Sequence, residues 1–225
     1  AWNPGLGNTG LSLRDWSGNS NNGVLTGGPT WAVSDGRQAL TFDGVDDYVS
    51  ATRPSTNVIQ ASMAVSISTT ASGTRRGIVS MGVINRGMYI DMLPTGFIRA
   101  AIESATGYIY RDSSVAVNTG KPTAIVVTST KTSVRVYVNG LDVTTGGGTS
   151  GTLASISSLS VNIGKGFPGA GPYGVFWDGM IFNVGLYHAS VVGNINQLLA
   201  QRPGIAYELA PRKTYFVQAA TSTSQ

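Results

Sequence analysis

The stretch Gly36-Arg37-Gln38-Ala39-Leu40-Thr41-Phe42-Asp43-Gly44-Val45-Asp46-Asp47-Tyr48-Val49-Ser50 decides the fold of this chain. Leu40 and Phe42 alternate with polar neighbours, the period-two signature of a strand with one buried face. Asp43-Gly44 is a turn dipeptide that tolerates positive φ, and Tyr48 and Val49 resume strand propensity beyond it. The segment therefore reads as a β-hairpin.

The same alternation recurs at Met63-Val65-Ile67, Ile125-Val127, Val134-Val136-Val138, Leu159-Val161-Ile163 and Met180-Phe182-Val184-Leu186, each predicting one inward face of a strand. Asn139-Gly140, Gly146-Gly147-Gly148 and Pro168-Gly169 punctuate them. Regular spacing of this kind predicts antiparallel sheets packed face to face. The 225 residues show strand signals from end to end without a polar linker, which favours one β-sandwich over two small domains. One helix is predicted, from about Ser190 to Gln201, with Ser190 as N-cap, Ile195, Leu198 and Leu199 on one face, and Pro203-Gly204 ending it.

Several motifs narrow the fold further. Upstream of the opening segment stand Asp15-Trp16-Ser17-Gly18-Asn19-Ser20-Asn21-Asn22-Gly23-Val24-Leu25 and Gly28-Pro29-Thr30-Trp31; downstream stand Val134-Arg135-Val136-Tyr137-Val138-Asn139-Gly140 and Asp178-Gly179-Met180-Ile181 through Leu186-Tyr187. In this order, and with the FDGVDDYV core of the opening segment, they resemble the laminin G-like, concanavalin A-like modules in their bacterial and phage forms. The matches run over roughly residues 2 to 201. One departure is visible: where those modules usually read D-D-V-R-I-Y-N-R-A-L, this chain has Phe182-Asn183-Val184-Gly185-Leu186-Tyr187-His188-Ala189-Ser190. The resemblance implies an all-β, concanavalin A-like jelly-roll β-sandwich of two antiparallel sheets over residues 1–202, with residues 203–225 as a C-terminal arm outside the module.

Composition bounds the function. A domain of this length buries roughly 70–75% of its unfolded surface, so the absence of cysteine costs nothing structurally. It points to assembly in a reducing compartment, as for a phage protein or a bacterial product. No apolar run approaches the roughly 20 residues of a membrane span, and the first residues carry no basic-then-apolar pattern, so a soluble chain without membrane insertion is expected. Charged residues make up 12% of the chain, against roughly 25% in ordinary domains. The net charge of +4 arises in residues 113–225 and is too dispersed for nucleic acid.

The residue types needed for catalysis are not assembled. Retaining glycoside hydrolysis needs two carboxyl groups about 5–5.5 Å apart; the resemblance implies an E-x-D-x-x-E strand for that chemistry, and the only glutamates are Glu103 and Glu208, outside any such pattern. There is no cysteine and no G-x-S-x-G elbow, and the lone His188, beside Ser190, has no local acid partner. One histidine without cysteine does not make a zinc site, and Gly120-Lys121-Pro122 lacks phosphate-loop spacing. No enzyme and no cofactor are expected, with calcium as the one ion considered. The resemblance implies a calcium site at the sandwich rim, where Asp43, Asp46 and Asp47 offer hard oxygens. The competing reading is structural: alternation sends Asp46 and Asp47 to opposite faces, and the turn alone explains Asp43.

For binding, the loop Lys165 to Asp178 combines glycines, prolines and aromatic rings, with Tyr173 or Trp177 as a sugar platform and Asp178 as hydroxyl acceptor; the alternative is that Phe176 and Trp177 cap the core. Tyr108 and Tyr110 share one strand face and form a second candidate. The arm carries Ile205, Tyr207, Leu209, Tyr215, Phe216 and Val217, for which three outcomes are open: packing back as an edge strand, reaching a neighbouring subunit by strand addition, or disorder. Low charge, no cysteine and an apolar arm, together with the resemblance, lead to the expectation of a non-catalytic virion or extracellular surface module. Its expected partners are copies of itself or a viral shell protein, and cell-surface glycans. The alternative is a carbohydrate-binding lectin module, with glycoside hydrolase third.

Overall fold

The computed structural model describes residues 10–15, 17, 19–52, 61–83, 86–153, 160–166 and 175–187. Among these residues the elements are β1 (Ser12–Leu13), β2 (Gly23–Thr26), β3 (Thr30–Ser34), β4 (Arg37–Asp43), β5 (Tyr48–Thr52), β6 (Ala61–Ser68), β7 (Arg76–Val83), β8 (Arg86–Met92), β9 (Phe97–Ser104), β10 (Gly107–Ala116), β11 (Thr123–Ser129), β12 (Val134–Val138), β13 (Leu141–Asp142), β14 (Thr144–Gly151), β15 (Ser160–Ile163) and β16 (Asp178–Tyr187). The predicted helix over 190–201, His188 and the arm with Ile205, Tyr207, Leu209, Tyr215, Phe216 and Val217 lie outside the described residues.

The strands pair antiparallel into two sheets. One has nine strands in the order β1-β2-β5-β15-β7-β8-β9-β10-β14, the other seven in the order β13-β12-β11-β6-β16-β4-β3. Between them lies one apolar layer. Leu40, Phe42, Met63, Val65, Ile67, Ile125 and Val127 enter it from the seven-stranded sheet, and Val49, Met88, Ile90, Ile98, Ile102, Val161 and Ile163 from the nine-stranded sheet, none more than 2% exposed. Burial of a Val, Leu or Ile side chain contributes roughly 1.5–3 kcal/mol, so this layer holds the sheets together without a disulfide. The alternation read at Met63-Val65-Ile67, Ile125-Val127 and Val134-Val136-Val138 is present as inward faces.

The opening segment is not a hairpin. β4 and β5 belong to different sheets, and the five residues from Asp43 to Asp47 carry the chain across the sandwich. The loop is closed by side chains: Asp47 Oδ2 accepts the Asp43 N–H at 3.0 Å and Asp43 Oδ1 accepts the Val45 N–H at 2.8 Å. Local carboxylate-to-amide bonds of this kind replace the ladder bonds that a hairpin would have made. The true hairpin precedes it. β3 pairs with β4 through Asp35-Gly36, both at positive φ (51° and 70°), the two-residue turn whose twist matches the strands. Asn139 and Gly140 (49° and 84°) make the same turn between β12 and β13.

Two other expectations change. Gly146-Gly147-Gly148 lies within β14, an edge strand, rather than between strands. The inward face Met180-Phe182-Val184-Leu186 is interrupted, because the β16–β6 register shifts between Ile181 and Asn183. A bulge adds one residue and reverses the phase of the pleat. Ile181 and Val184 both enter the core, while Phe182 lies under the Arg37 guanidinium, 4.7 Å from its ring centroid.

The crossover generates a test. A Cβ on Gly27 (φ +88°) would lie 2.5 Å from the Asp46 carbonyl oxygen and 2.8 Å from Asp47 Cα, whereas one on Gly36 (φ +70°) meets nothing within 4 Å. Gly36→Ala should cost only the left-handed strain of about 1–2 kcal/mol. Gly27→Ala should add an overpacking cost of about 1–3 kcal/mol, read as a lower denaturation midpoint than Gly36→Ala.

Candidate functional site

The side of the nine-stranded sheet facing away from the core carries a connected group of aromatic and charged side chains. Its composition follows from the pleat. Met88, Ile90 and Met92 of β8 and Ile98, Ala100 and Ile102 of β9 enter the core, so Tyr89, Asp91, Arg99, Ala101 and Glu103 stand on the opposite side. On β10 Ile109 is the inward residue and Tyr108 and Tyr110 point away. Register then sets three cross-strand rows: Asp91, Arg99 and Asp112; Tyr89, Ala101 and Tyr110; and Gly87, Glu103 and Tyr108.

These rows form a stack. Arg99 makes two parallel bonds to Asp112, Nε to Oδ1 at 2.7 Å and Nη2 to Oδ2 at 2.8 Å, the bidentate geometry that locks a guanidinium plane. That plane lies over Tyr110, 4.4 Å from the ring centroid. Tyr110 in turn stacks on Tyr108, with centroids 6.1 Å apart and an interplanar angle of 24°. Because the rows follow one another along the strands, Arg99 and Tyr108 flank Tyr110 from opposite sides. Tyr108 ends the stack and is 42% exposed, while Ala101, between Tyr89 and Tyr110, is 1% exposed.

A second ion pair supports the other side of the group. Arg75 reaches Asp91 Oδ2 through Nε at 2.8 Å and Nη2 at 2.7 Å, and its guanidinium lies 5.6 Å from the Tyr89 ring centroid. The Tyr89 hydroxyl donates to Glu103 Oε1 at 3.3 Å. Burial pushes the Asp91 carboxyl up to about 7 against the pull of Arg75, and it raises the Tyr89 phenol, with Glu103 adding to the effect. Asp91 Oδ1 is buried without a hydrogen-bond partner.

The rim is organised differently from the sequence reading. Lys165 and Phe176 bridge, and the Trp177 N–H donates to the Gly164 carbonyl at 2.9 Å, which turns Phe176 outwards and Trp177 inwards. Trp177 is 0% exposed and belongs to the core, so it presents no ring face to a sugar; the core-capping alternative holds for it. Phe176 instead packs with Tyr48 at 6.2 Å, and Lys165 Nζ sits 4.1 Å from the Tyr48 centroid and 5.0 Å from that of Phe176. Asp178 is half-exposed and paired with Arg76 at 3.3 Å. Tyr173 lies outside the described residues.

Asp43, Asp46 and Asp47 come together after all, with ligand oxygens within 4.8 Å of one another. The opposite-face expectation fails because these residues form a loop, not a pleat. Burial raises the Asp47 carboxyl, and the charges of Asp43 and Asp46 add to this. Calcium takes about six to eight oxygens. The three carboxylates fit as part of such a shell, each keeping an oxygen beyond those used by the Asp43 and Val45 amides.

Sequence reading found Tyr108 and Tyr110 but not Tyr89, Arg75, Asp91, Arg99 or Asp112. The available signal was the outward phase of Gly87-Met88-Tyr89-Ile90-Asp91 and Ile98-Arg99-Ala100-Ala101-Ile102-Glu103, in which polar or aromatic residues interleave with aliphatic ones.

Residues 43–192 match the family model of the concanavalin A-like lectin/glucanases superfamily. The chain belongs to this superfamily. Curated proteins yield no sequence match. Among solved structures, this superfamily member is similar to domain 4 of AbnA, a GH43 extracellular arabinanase from Geobacillus stearothermophilus in complex with arabinotriose, at 17% identity and a TM-score of 0.63, covering 85% of this chain and 93% of that one. It is also similar to the binding domain of botulinum neurotoxin DC in complex with SialylT (13% identity, TM-score 0.67, 88% of this chain and 49% of that one) and to domains LG4-5 of the mouse laminin alpha1 chain (13%, 0.53, 72% and 44%). The chain thus spans about half the length of the toxin domain. At these identities the likeness is one of fold.

The buried pair makes stability depend on pH. An ordinary carboxylate titrates near 4, so the contribution of Asp91, raised to about 7 in the folded protein, is complete below the unfolded value and is lost as pH rises through the folded one. Unfolding free energies from urea titrations should therefore fall between about pH 4 and 7 in the parent protein and fall less in Asp91→Asn; parallel profiles would contradict the assignment.

Proposed function

We propose that this chain is a non-catalytic carbohydrate-binding module of an extracellular or otherwise surface-exposed assembly, and that Tyr108 receives the apolar face of a sugar ring. The observation that carries this reading is the Arg99–Tyr110–Tyr108 stack, which ends in a tyrosine 42% exposed. A braced ring offers stacking area at little entropic cost. Similarity of fold to an arabinanase domain solved with arabinotriose and to a toxin binding domain solved with SialylT supports the same reading.

The carboxylates support a role without catalysis. Asp91, raised towards the range useful to a general acid, is 2% exposed and held by Arg75, so a glycosidic oxygen has no route to it. Asp43 and Asp47 use oxygens to hold the crossover turn. Tyr108→Ala should weaken retention of the bound glycan by about tenfold, equivalent to ~1.4 kcal/mol, with an unchanged melting temperature, while Tyr108→Phe should retain binding. Equal retention by Tyr108→Ala, measured by affinity electrophoresis on polysaccharide gels, would refute the platform.

A second reading, a virion surface component, draws on composition: 12% charged residues, no cysteine, and the apolar runs Ile205-Ala206-Tyr207 and Tyr215-Phe216-Val217. Failure of all glycan retention, with recovery of the chain on virus particles, is the outcome that favours it.

Calcium at Asp43, Asp46 and Asp47 is a separate proposal, in which the ion offsets the burial that raises Asp47 and screens the carboxylate repulsion that adds to it. A ligand that binds only the folded state raises the melting temperature. Millimolar calcium should do so reversibly with chelator, and an unchanged midpoint in both would reject the site.

A further inference from the structure

We infer that edge strand β14 forms the second half of the Tyr108 site: Gly148 positions the Tyr110 ring, and Ser150 presents its hydroxyl to the sugar stacked on Tyr108. The inference rests on the glycan-binding reading above and assigns that site two further residues. β14 ends the nine-stranded sheet, and register sets Ser150 opposite Tyr108 and Gly148 opposite Tyr110. Directly opposed residues share one face, with Cβ positions about 4.5–5.5 Å apart, so both stand on the side that carries the rings. Beyond Tyr110 on the β9 side the surface is closed, since Ala101 is 1% and Tyr89 8% exposed. On the β14 side it is open, and Ser150 is exposed. A sugar on Tyr108 meets a hydroxyl there that both donates and accepts.

The missing side chain at position 148 has a local cause. Gly146 and Gly147 have positive φ (46° and 113°), a conformation glycine accommodates, whereas Gly148 does not. What a side chain at 148 would meet is the Tyr110 ring: a Cβ there would lie 2.8 Å from Cε1 and 3.3 Å from Cζ and the hydroxyl oxygen. Arg111 Nη1 donates to the carbonyls of Tyr110 at 2.7 Å and Gly148 at 3.3 Å, which ties the two strands at this step. Arg99 lies over the ring at 4.4 Å and is itself held by Asp112. With the strand tied and the guanidinium held, a methyl group at 148 moves the ring from its place beside Tyr108, 6.1 Å away. Gly148 therefore acts through Tyr110, and Ser150 acts on the sugar.

The test is isothermal titration of the full chain with arabinohexaose, cellohexaose and sialyllactose, carrying the tightest-binding probe into the variants. Ser150→Ala should lose about fivefold in affinity at an unchanged melting temperature, the loss of one hydrogen bond, and Ser150→Thr should keep binding. Gly148→Ala should lose about fivefold or more, but less than about twofold when Tyr110→Ala is already present, the coupling expected of residues in contact. Thr149→Ala, on the opposite side of β14, should bind as the parent does. Should Tyr110→Ala abolish binding, the same comparison is read in the melting temperature and the near-ultraviolet circular dichroism of the tyrosines, which Gly148→Ala should change only where Tyr110 is present. Should Gly148→Ala fail to fold, the Ser150 variants carry the test. Parent-like affinity in Ser150→Ala or in a folded Gly148→Ala, an equal effect of Gly148→Ala with and without Tyr110, or a like loss in Thr149→Ala would overturn the inference while leaving glycan binding intact. Failure of every probe to bind the parent would overturn the glycan reading itself.

Discussion

Desolvation of one aliphatic layer between the nine-stranded and seven-stranded sheets sets the position of nearly every other side chain. Once Met88, Ile90, Ile98, Ala100, Ile102 and Ile109 are committed to that layer, the pleat sends Tyr89, Asp91, Arg99, Glu103, Tyr108 and Tyr110 to the opposite side. A register slip of one residue would exchange the two sets, exposing aliphatic groups and burying arginine and aspartate in the core. The aromatic face is therefore held in place by the core beneath it.

Upon that base the polar groups act mainly on one another. Asp112 orients Arg99, Arg99 covers Tyr110, and Tyr110 supports Tyr108, so a chain of short contacts ends in one half-exposed ring. Arg75 and Asp91 perform the corresponding task beside Tyr89, at the cost of a raised carboxyl. The rim follows a different rule: Lys165, Tyr48 and Phe176 form a cation–aromatic group, while Trp177 fills the core below.

Where strand phase alone decides, as at Met63-Val65-Ile67 or Val134-Val136-Val138, the pattern of residues and the observed faces agree. Where a local irregularity intervenes, they part. The bulge at Phe182 reverses an alternation that reads as continuous, and the triglycine expected between strands is absorbed into β14. Asp43-Gly44 has the chemistry of a hairpin turn, but Asp47 closes the loop with a side-chain bond and β5 departs to the other sheet. Turn propensity describes four or five residues and carries no information about which strand will be the next neighbour.

Composition and alternation by themselves determined that this chain is an all-β sandwich without cysteine, and motif order placed it in the concanavalin A-like superfamily. They also marked Tyr108 and Tyr110 as two rings on one face. Only the tertiary structure decided that Arg99 and Asp112 brace those rings, that Trp177 is core and not platform, and that Asp43, Asp46 and Asp47 converge. The physical reason is separation along the chain: a period of two is written in neighbouring residues, whereas the partner of a charge or a ring is chosen by cross-strand register, which exists only once the sheets have formed.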